Sequence, residues 1–276
     1  MGAEHSGTKN GLAFDLGAFD LDGTVLRRNR RITRSTVTAL QRLRERGMRL
    51  VVATGRRFES AREYAGKLGF AEDDPVICYG GSMVRTINGE TLLHRTLPQD
   101  LSVEALEWAA VRDLHARVFV DGHTITSPDI PSARPEPDAS VVDSPADWLR
   151  NSRKVPTKLV IVDRPDEIRG WLGEAKSAFA GRLFVTRSLP HYVEVGSLEG
   201  TKAAALGFLC ERWGIEPERV LAFGDADNDI DMLRFAGHGV AVGGMSGEVR
   251  EAADKVVPGV DEDGVAGYVA NLLGGS

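Results

Sequence analysis

Phe19-Asp20-Leu21-Asp22-Gly23-Thr24 directly follows an apolar run near the start of the chain. The run from Ala13 to Phe19 predicts a buried strand that ends in a loop. Gly23 permits a turn, so the carboxylates of Asp20 and Asp22 can face one crevice. In open parallel sheets, ligands bind outside the carboxyl ends of the strands. The motif therefore predicts a ligand site there, although an acidic loop without a chemical role is the alternative.

Helices and strands alternate outward from this motif. On its C-terminal side the sequence predicts a helix over Thr33–Arg46, a buried strand over Leu50–Ala53, a helix over Phe58–Leu68 and a strand over Val76–Cys78. Near the end of the chain it predicts a helix over Thr201–Trp213, a strand over Val220–Phe223, a helix around Ile230–Ala236, a strand over Val240–Val242 and a helix over Val265–Leu273. This alternation predicts an α/β fold, with a doubly wound, mostly parallel, Rossmann-like sheet.

The middle of the chain departs from this alternation. Asn88-Gly89 between two short apolar runs predicts a hairpin. Further strands are predicted over Ala116–Val120, Lys158–Val162, Leu183–Thr186 and Tyr192–Val195, with helices over Leu101–Leu114 and Asp166–Phe179 and a proline-rich loop over Ser127–Asp138. We therefore predict an α+β cap domain, residues 84–196, inserted into a core of residues 12–83 and 197–276. Residues 1–11 are interpreted as a loose N-terminal extension.

The composition limits the class of protein. With 276 residues, 42% of them hydrophobic and 27% charged, the chain resembles an ordinary soluble protein. A net charge of -6 argues against a dedicated nucleic-acid binder. Neither a membrane-spanning stretch nor a secretory signal is visible, which predicts a cytoplasmic protein without a membrane partner. Cys78 and Cys210 are predicted to be buried thiols rather than a disulfide.

Three more polar motifs follow a predicted strand or begin a predicted helix. Thr54-Gly55-Arg56 offers a hydroxyl and backbone N–H groups that can bind phosphate. Lys202 begins a helix, where a lysine opposes the helix dipole unless anionic groups lie nearby. Residues 224–229 carry three aspartates and Asn228, and such hard oxygen ligands suit Mg2+. Taken singly, each has a structural explanation as a tight turn, a solvated lysine or a helix cap.

The order of these four motifs resembles that of the haloacid dehalogenase superfamily of phosphohydrolases. The large insertion resembles the cap of its Cof-like branch, and the resemblance extends from about residue 13 to residue 273. It implies a Mg2+-dependent phosphatase of small phosphorylated metabolites such as sugar phosphates. Dehalogenating and phosphonate-cleaving relatives lack a residue like Asp22. A sugar phosphomutase and a catalytically silent phosphometabolite-binding protein are the alternatives, and the intact motifs weigh against the second.

The resemblance also implies a role for each motif residue. Asp20 would attack phosphorus and form an aspartyl-phosphate, and Asp22 would be the general acid and base. The metal-binding set would be Asp20, Asp22 through its backbone carbonyl, and Asp225, with Asp229 supporting the site. The phosphate-binding set would be Leu21, Thr54, Gly55, Lys202 and Asn228. Candidates for substrate recognition are Arg56, Gly80, Gly81, Arg187 and His191.

Two positions depart from the branch. Tyr79 stands at the end of the third strand, where members of the branch usually carry Asn, and this puts substrate contacts there in doubt. Ala203 follows Lys202 in place of the usual Gly, which we expect to be harmless. The cap is expected to lie over the strand ends and to select the substrate, but neither the substrate nor the oligomeric state is predicted from the sequence.

Overall fold

A computed structural model describes residues 12–128, 139–243 and 246–274. The predicted N-terminal extension and most of the predicted proline-rich loop lie outside the described residues. The strands are β1 Leu16–Phe19, β2 Arg49–Ala53, β3 Pro75–Cys78, β4 Met83–Thr86, β5 Thr91–His94, β6 His115–Val120, β7 His123–Thr126, β8 Ala139–Val141, β9 Lys158–Val162, β10 Phe184–Thr186, β11 Tyr192–Gly196, β12 Val220–Gly224, β13 His238–Val242 and β14 Lys255–Val257. The helices are α1 Arg34–Glu45, α2 Phe58–Lys67, α3 Gln99–Ala110, α4 Pro145–Ser152, α5 Ile168–Ala178, α6 Lys202–Trp213, α7 Ile230–Phe235, α8 Gly247–Glu251 and α9 Gly264–Gly274.

The first sheet has the strand order β14-β13-β12-β1-β2-β3-β4-β5. The strands from β14 to β3 in this order run parallel to one another. Side chains alternate between its two faces, so Leu16 and Ala18 of β1 pack on the side of α6 and α7, while Phe19 packs on the opposite side. The doubly wound, mostly parallel α/β fold predicted from the sequence is confirmed.

The hairpin of β4 and β5 belongs to this first sheet. The sequence pattern places residues 84–94 in the inserted domain, but β4 pairs antiparallel with β3 and β5 pairs with β4. The turn at Asn88-Gly89, with Gly89 at φ 101°, returns the chain along the edge strand, and this pairing extends the sheet to His94. The division into core and cap remains a prediction, and the sheet itself continues past residue 83.

The second sheet has the strand order β10-β11-β9-β6-β7-β8. One of its faces packs against α3, α4 and α5, where Leu159, Ile161 and Val193 are buried. The opposite face carries Phe119, Val160 and Val162, which belong to the same apolar cluster as Phe19 and Val52 of the first sheet. The second sheet therefore contacts the unit built on the first sheet.

Two further predictions concern the cysteines and the membrane. Cys78 and Cys210 are both free thiols with buried side chains, as predicted. Among the helices of the described ranges, none combines the length and the apolar character needed to cross a membrane. The cytoplasmic location remains a prediction.

Candidate active site

The four polar motifs meet at one edge of the first sheet. Because β12, β1, β2 and β3 are neighbours, the residues that follow them lie side by side. Asp225 follows β12, Asp20 follows β1, Thr54 follows β2, and a short turn that begins at Tyr79 follows β3. Residues that are distant in the sequence thus reach the same crevice, as expected at the carboxyl ends of parallel strands.

Lys202 lies at the centre of this edge, fully buried. Its Nζ donates to Oδ1 of Asp20 and to Oδ1 of Asp229, both at 2.6 Å. Burial opposes the charge of the lysine, but the two carboxylates outweigh burial and raise the pKa of Lys202 above its ordinary value. The two carboxylates therefore offset the unfavourable interaction of Lys202 with the dipole of its helix.

Asp229 holds this arrangement in place. One of its oxygens accepts from Lys202, and the other accepts from the backbone N–H groups of Asp225 and Ala226, both at 3.0 Å. Its side chain is completely buried. Asp229 therefore orients both the lysine and the loop that carries Asp225, which fits the supporting role expected of it.

The turn after β1 packs directly against Asp225. The Thr24 hydroxyl donates to Oδ1 of Asp225 at 2.8 Å. Gly23 has a φ of 91°, and a Cβ at this position would lie 2.2 Å from Oδ2 of Asp225. Only glycine fits this approach, because any larger side chain would collide with the carboxylate.

Asp20, Asp225 and Asp229 form a cluster of carboxylates. One carboxylate oxygen from each lies within 4.8 Å of the others. Burial raises the pKa of Asp225 to about 7, and the charge of Asp229 adds to the shift. Burial also raises the pKa of Asp20, although Lys202 acts in the opposite direction. The three carboxylates can carry more negative charge than Lys202 balances. Their oxygens are hard donors, so the cluster fits a divalent cation such as Mg2+.

Asp22 is held by Arg56, one of the candidates for substrate recognition. The guanidinium donates from Nε to Oδ2 of Asp22 at 2.5 Å and from Nη2 to Oδ1 at 2.6 Å. Arg56 also donates to Ser60 and stacks 4.8 Å from the centre of the Tyr64 ring. This bidentate pair fixes the orientation of the Asp22 carboxylate.

The predicted phosphate loop lies beside the amide of Asn228. Thr54 is buried, and its carbonyl accepts from the N–H of Gly80 at 2.9 Å. A Cβ built on Gly55 would lie 3.6 Å from Nδ2 of Asn228. The carbonyl oxygen of Leu21 accepts hydrogen bonds from the N–H groups of residues 24–26, in the turn that follows β1. The structure thus brings the predicted phosphate-binding residues to the same sheet edge.

The turn after β3 contacts both the start of α6 and the second sheet. Gly81 has a φ of 109°, and a Cβ there would lie 2.0 Å from the carbonyl oxygen of Thr201. This close packing sets the start of α6 and therefore the position of Lys202. Tyr79, which stands where the branch usually has Asn, directs its ring to Phe119 of β6 with 6.0 Å between centroids. Tyr79 thus contacts the second sheet.

Two candidates for substrate recognition lie in the segment between β10 and β11. Arg187 forms an ion pair with Asp227, its Nη2 lying 3.0 Å from Oδ2, and this pair joins the two sheet units. The ring of His191 contacts the ring of Tyr192, with centroids 4.3 Å apart. Arg187 is therefore held by Asp227 of the fourth motif, whereas the ring of His191 packs against its neighbour in the chain.

Sequence reasoning missed a buried ion pair between Lys158 and Glu194. Lys158 begins β9, whose other residues are leucine, valine and isoleucine, and Glu194 lies between two valines in β11. Charged residues inside buried apolar strands are rare unless they are paired. That pattern was visible in the sequence and could have indicated that each charge has a partner, but not which residue the partner is.

Comparisons with known proteins agree with this geometry. Residues 18–269 match the family model of haloacid dehalogenase-like hydrolases. An HMP-PP phosphatase of Klebsiella pneumoniae is 33% identical over 83% of this chain and 84% of its own length. A 5-amino-6-(5-phospho-D-ribitylamino)uracil phosphatase of Bacillus subtilis is 26% identical over 91% of this chain and 95% of its own. The crystal structure of a haloacid dehalogenase-like hydrolase from Bacteroides thetaiotaomicron superposes with a TM-score of 0.75 at 27% identity, and the match covers 94% of this chain and 99% of that one.

Proposed function

We propose a mechanism for this chain, which belongs to the haloacid dehalogenase-like hydrolase family and is a phosphomonoester hydrolase. In this mechanism the chain forms an aspartyl-phosphate on Asp20 and requires Mg2+. The resemblance predicted from the four motifs is confirmed by the family match. The chain acts on small phosphorylated metabolites. The covalent intermediate, the metal and the roles of individual residues are our proposal.

One observation supports this proposal above the others. The Asp20 carboxylate is buried and lies 2.6 Å from the Lys202 ammonium, and an oxygen of Asp225 lies within 4.8 Å. A carboxylate that attacks a phosphate dianion is repelled unless positive charge lies nearby. Positioned charges of this kind supply much of the catalysis in phosphoryl transfer. Lys202 supplies one such charge, and the carboxylate cluster fits the metal that would supply the other.

Asp20 and Asp22 have different roles in the reaction. An oxygen of Asp20 attacks phosphorus, and the bond from phosphorus to the leaving oxygen breaks as Asp22 protonates that oxygen. Asp22 then accepts a proton from the water that attacks the phosphoryl group, and this second attack frees Asp20. Each oxygen of Asp22 accepts one hydrogen bond from Arg56 and keeps a second lone pair, so Asp22 can exchange a proton while Arg56 holds its orientation.

Mg2+ would be held by Asp20, Asp225 and the backbone carbonyl of Asp22. When bound, it neutralises negative charge on the phosphate and on the carboxylate cluster. Asp229 orients Lys202, and Asn228 with Thr54 and Gly55 would bind the phosphate oxygens. Thr54 and Gly55 follow β2 and Asn228 follows β12, so these groups come from the edge of the first sheet.

Asp22→Asn should separate substrates by their leaving groups. Loss of the general acid slows formation of the aspartyl-phosphate and is expected to lower kcat/KM for an alkyl phosphate by about 10² to 10⁴. The kcat/KM of nitrophenyl phosphate should fall less, because its leaving group departs without protonation. The kcat/KM values of both esters provide the test.

Asp15→Asn is the matched control for this variant. Asp15 precedes β1 and forms an ion pair with Arg219, so its loss removes the same functional group without touching the cluster. Its rates should equal those of the native protein. An equal loss of kcat/KM on both esters in Asp22→Asn would contradict the assignment of Asp22 as the general acid.

A further inference from the structure

An ion pair joins the second sheet unit to the loop that carries the fourth motif. Arg187, in the segment between β10 and β11, donates from Nε and from Nη2 to Oδ2 of Asp227, at 3.1 and 3.0 Å. The two side chains are 22% and 18% exposed, so water has limited access to either charge. Neither residue binds the metal or the phosphate in the proposed mechanism, so the pair needs another explanation.

The carboxylate of Asp227 is held at both of its oxygens. Oδ2 accepts from Arg187, and Oδ1 accepts from the hydroxyl of Ser246 at 3.2 Å. Ser246 is itself fixed at the start of α8, where its hydroxyl oxygen accepts from the N–H of Val249 at 3.3 Å. The orientation of Asp227 is therefore set from outside its own loop, by Arg187 on one side and Ser246 on the other.

The residues next to Asp227 are those that the proposed mechanism needs. Asp227, Asn228 and Asp229 form one short 3-10 turn. Asn228 is buried beside Gly55 of the predicted phosphate loop. Asp229 accepts from the backbone N–H of Asp225 at 3.0 Å. Because these residues share one short stretch of backbone, a displacement of Asp227 also displaces Asn228 and Asp225.

Arg187 is anchored in the second sheet on both sides. Thr186, the last residue of β10, pairs with Glu194 of β11. Ser188 donates its hydroxyl to the carboxylate of the same glutamate. Glu194 is also paired with Lys158 of β9, with 2.7 Å between the charged atoms. The second sheet therefore fixes the backbone around Arg187, so that its guanidinium presents a positioned cation to Asp227.

Docking of the two units alone explains this pair less well. Ion pairs near the surface contribute little to stability. Apolar contacts such as that of Tyr79 with Phe119 already join the units. In contrast, groups that contact metal ligands from outside orient those ligands, and their loss commonly weakens metal binding. A pair that fixes the turn beside Asp225 has the geometry for this second role.

We propose that Arg187 is a positioning residue, which through Asp227 holds the turn over residues 225–229 so that Asp225 is in place for Mg2+ and Asn228 for the phosphate. This inference rests on the proposed function, because it assumes that Asp225 binds the metal and Asn228 the phosphate. Arg187 then promotes the binding of every phosphomonoester and does not select among them. This role differs from the substrate recognition that the sequence predicts for Arg187.

Replacement of Arg187 by methionine tests the inference. Methionine is long enough to fill the space but has no donor for Asp227. We expect R187M to weaken Mg2+ binding by about tenfold, measured by calorimetric titration with Mg2+ alone. Inhibition by inorganic phosphate at saturating Mg2+ should weaken in the same variant. The ranking of kcat/KM among sugar, glycerol and nitrophenyl phosphates should stay as in the native protein.

Further variants show whether Arg187 acts through Asp227. Both nitrogens of Arg187 donate to the same oxygen, so one lysine ammonium can replace them, and R187K should keep most of the native Mg2+ affinity. D227N can still accept from Ser246 but not from Arg187, and should lose as much affinity as R187M. The double variant R187M/D227N should lose no more than either single variant, because the two side chains act as one unit.

The control for docking of the two units is T157V. The hydroxyl of Thr157, just before β9, lies 2.9 Å from Nε2 of His94 in β5, so this bond also joins the two units. In the first sheet β5 lies five strands from β12, far from the turn at Asp227. T157V should bind Mg2+ as tightly as the native protein. Equal losses in T157V and R187M, or no loss in R187M, would overturn the inference.

Two other results have a defined meaning. An altered ranking of substrates in R187M, with native Mg2+ affinity, would show that Arg187 contacts the leaving group and would overturn the inference. If R187M does not fold, D227N and R187K decide. Loss of Mg2+ affinity in D227N with retention in R187K would support the inference, and any other combination would overturn it.

Failure of the proposed function would look different. In that case the native protein would not bind Mg2+, or would not hydrolyse nitrophenyl phosphate in its presence. If the native protein binds Mg2+, Asp225→Asn loses it and hydrolysis depends on Asp20, while R187M binds Mg2+ like the native protein, only the present inference fails.

Discussion

Asp20→Asn is expected to lower kcat by at least about 10⁴-fold on every phosphomonoester, because it removes the nucleophile and leaves a non-nucleophilic amide in its place. The loss should be the same for alkyl and aryl phosphates, in contrast to Asp22→Asn. Substrate binding should persist, since Lys202, Asn228 and the loop at Thr54 remain. Single-turnover rates and equilibrium binding would be measured on the same preparation.

The fold should survive this substitution. Lys202 keeps its second partner, Asp229, at 2.6 Å, so the buried ammonium is not left alone. Circular dichroism would verify the fold, and Asp15→Asn, whose ion pair with Arg219 lies outside the cluster, would show the effect of losing an aspartate elsewhere. Turnover by Asp20→Asn within tenfold of native would mean that another group attacks phosphorus.

Removal of Mg2+ is expected to abolish turnover, and added Mg2+ to restore it. Without the metal, Asp20 and Asp225 repel both each other and the incoming phosphate. Ca2+ should restore activity poorly, because its longer bonds and looser coordination misplace the phosphate. Rates in excess chelator, and after addition of each ion, provide the measurement.

The Mg2+ requirement should depend on pH in a defined direction. Burial and Asp229 raise the pKa of Asp225 to about 7 in the metal-free site. Below that pH, Mg2+ must displace a proton from Asp225, so its apparent affinity should fall by about tenfold per pH unit for one released proton. Above it, the affinity should level off. In Asp225→Asn the part of this pH dependence that Asp225 causes should disappear, together with most of the affinity. Full activity in excess chelator would contradict the metal site.

The core of the fold and the main site were predictable because both depend on local patterns. Buried parallel strands give continuous apolar runs, and the predicted strand over Lys158–Val162 matches β9 residue for residue. The polar residues that follow such strands must meet at one sheet edge, so Asp20, Thr54 and Asp225 could be grouped from the order of strands and motifs along the chain.

What the sequence did not predict depends on long-range pairing. The hairpin of β4 and β5 has the same local pattern in either sheet, so its place beside β3 follows only from an available sheet edge. The pairs Asp22–Arg56 and Lys158–Glu194 join residues 34 and 36 positions apart, and no local rule selects these partners. Helix α4 was also missed, although Ser144 followed by Pro145 is a typical helix start.

The central claim is that Asp20 becomes phosphorylated, and rapid-quench mass spectrometry tests it most directly. Native protein and Asp22→Asn would be mixed with Mg2+ and nitrophenyl phosphate, quenched in acid during the first turnover and digested. We predict one hydroxylamine-sensitive phosphoryl group on the peptide that contains Asp20, more abundant in Asp22→Asn, because loss of the general base slows its hydrolysis, and none in Asp20→Asn. A burst of nitrophenol without phosphoprotein, or a phosphoryl group on another residue, would contradict the account.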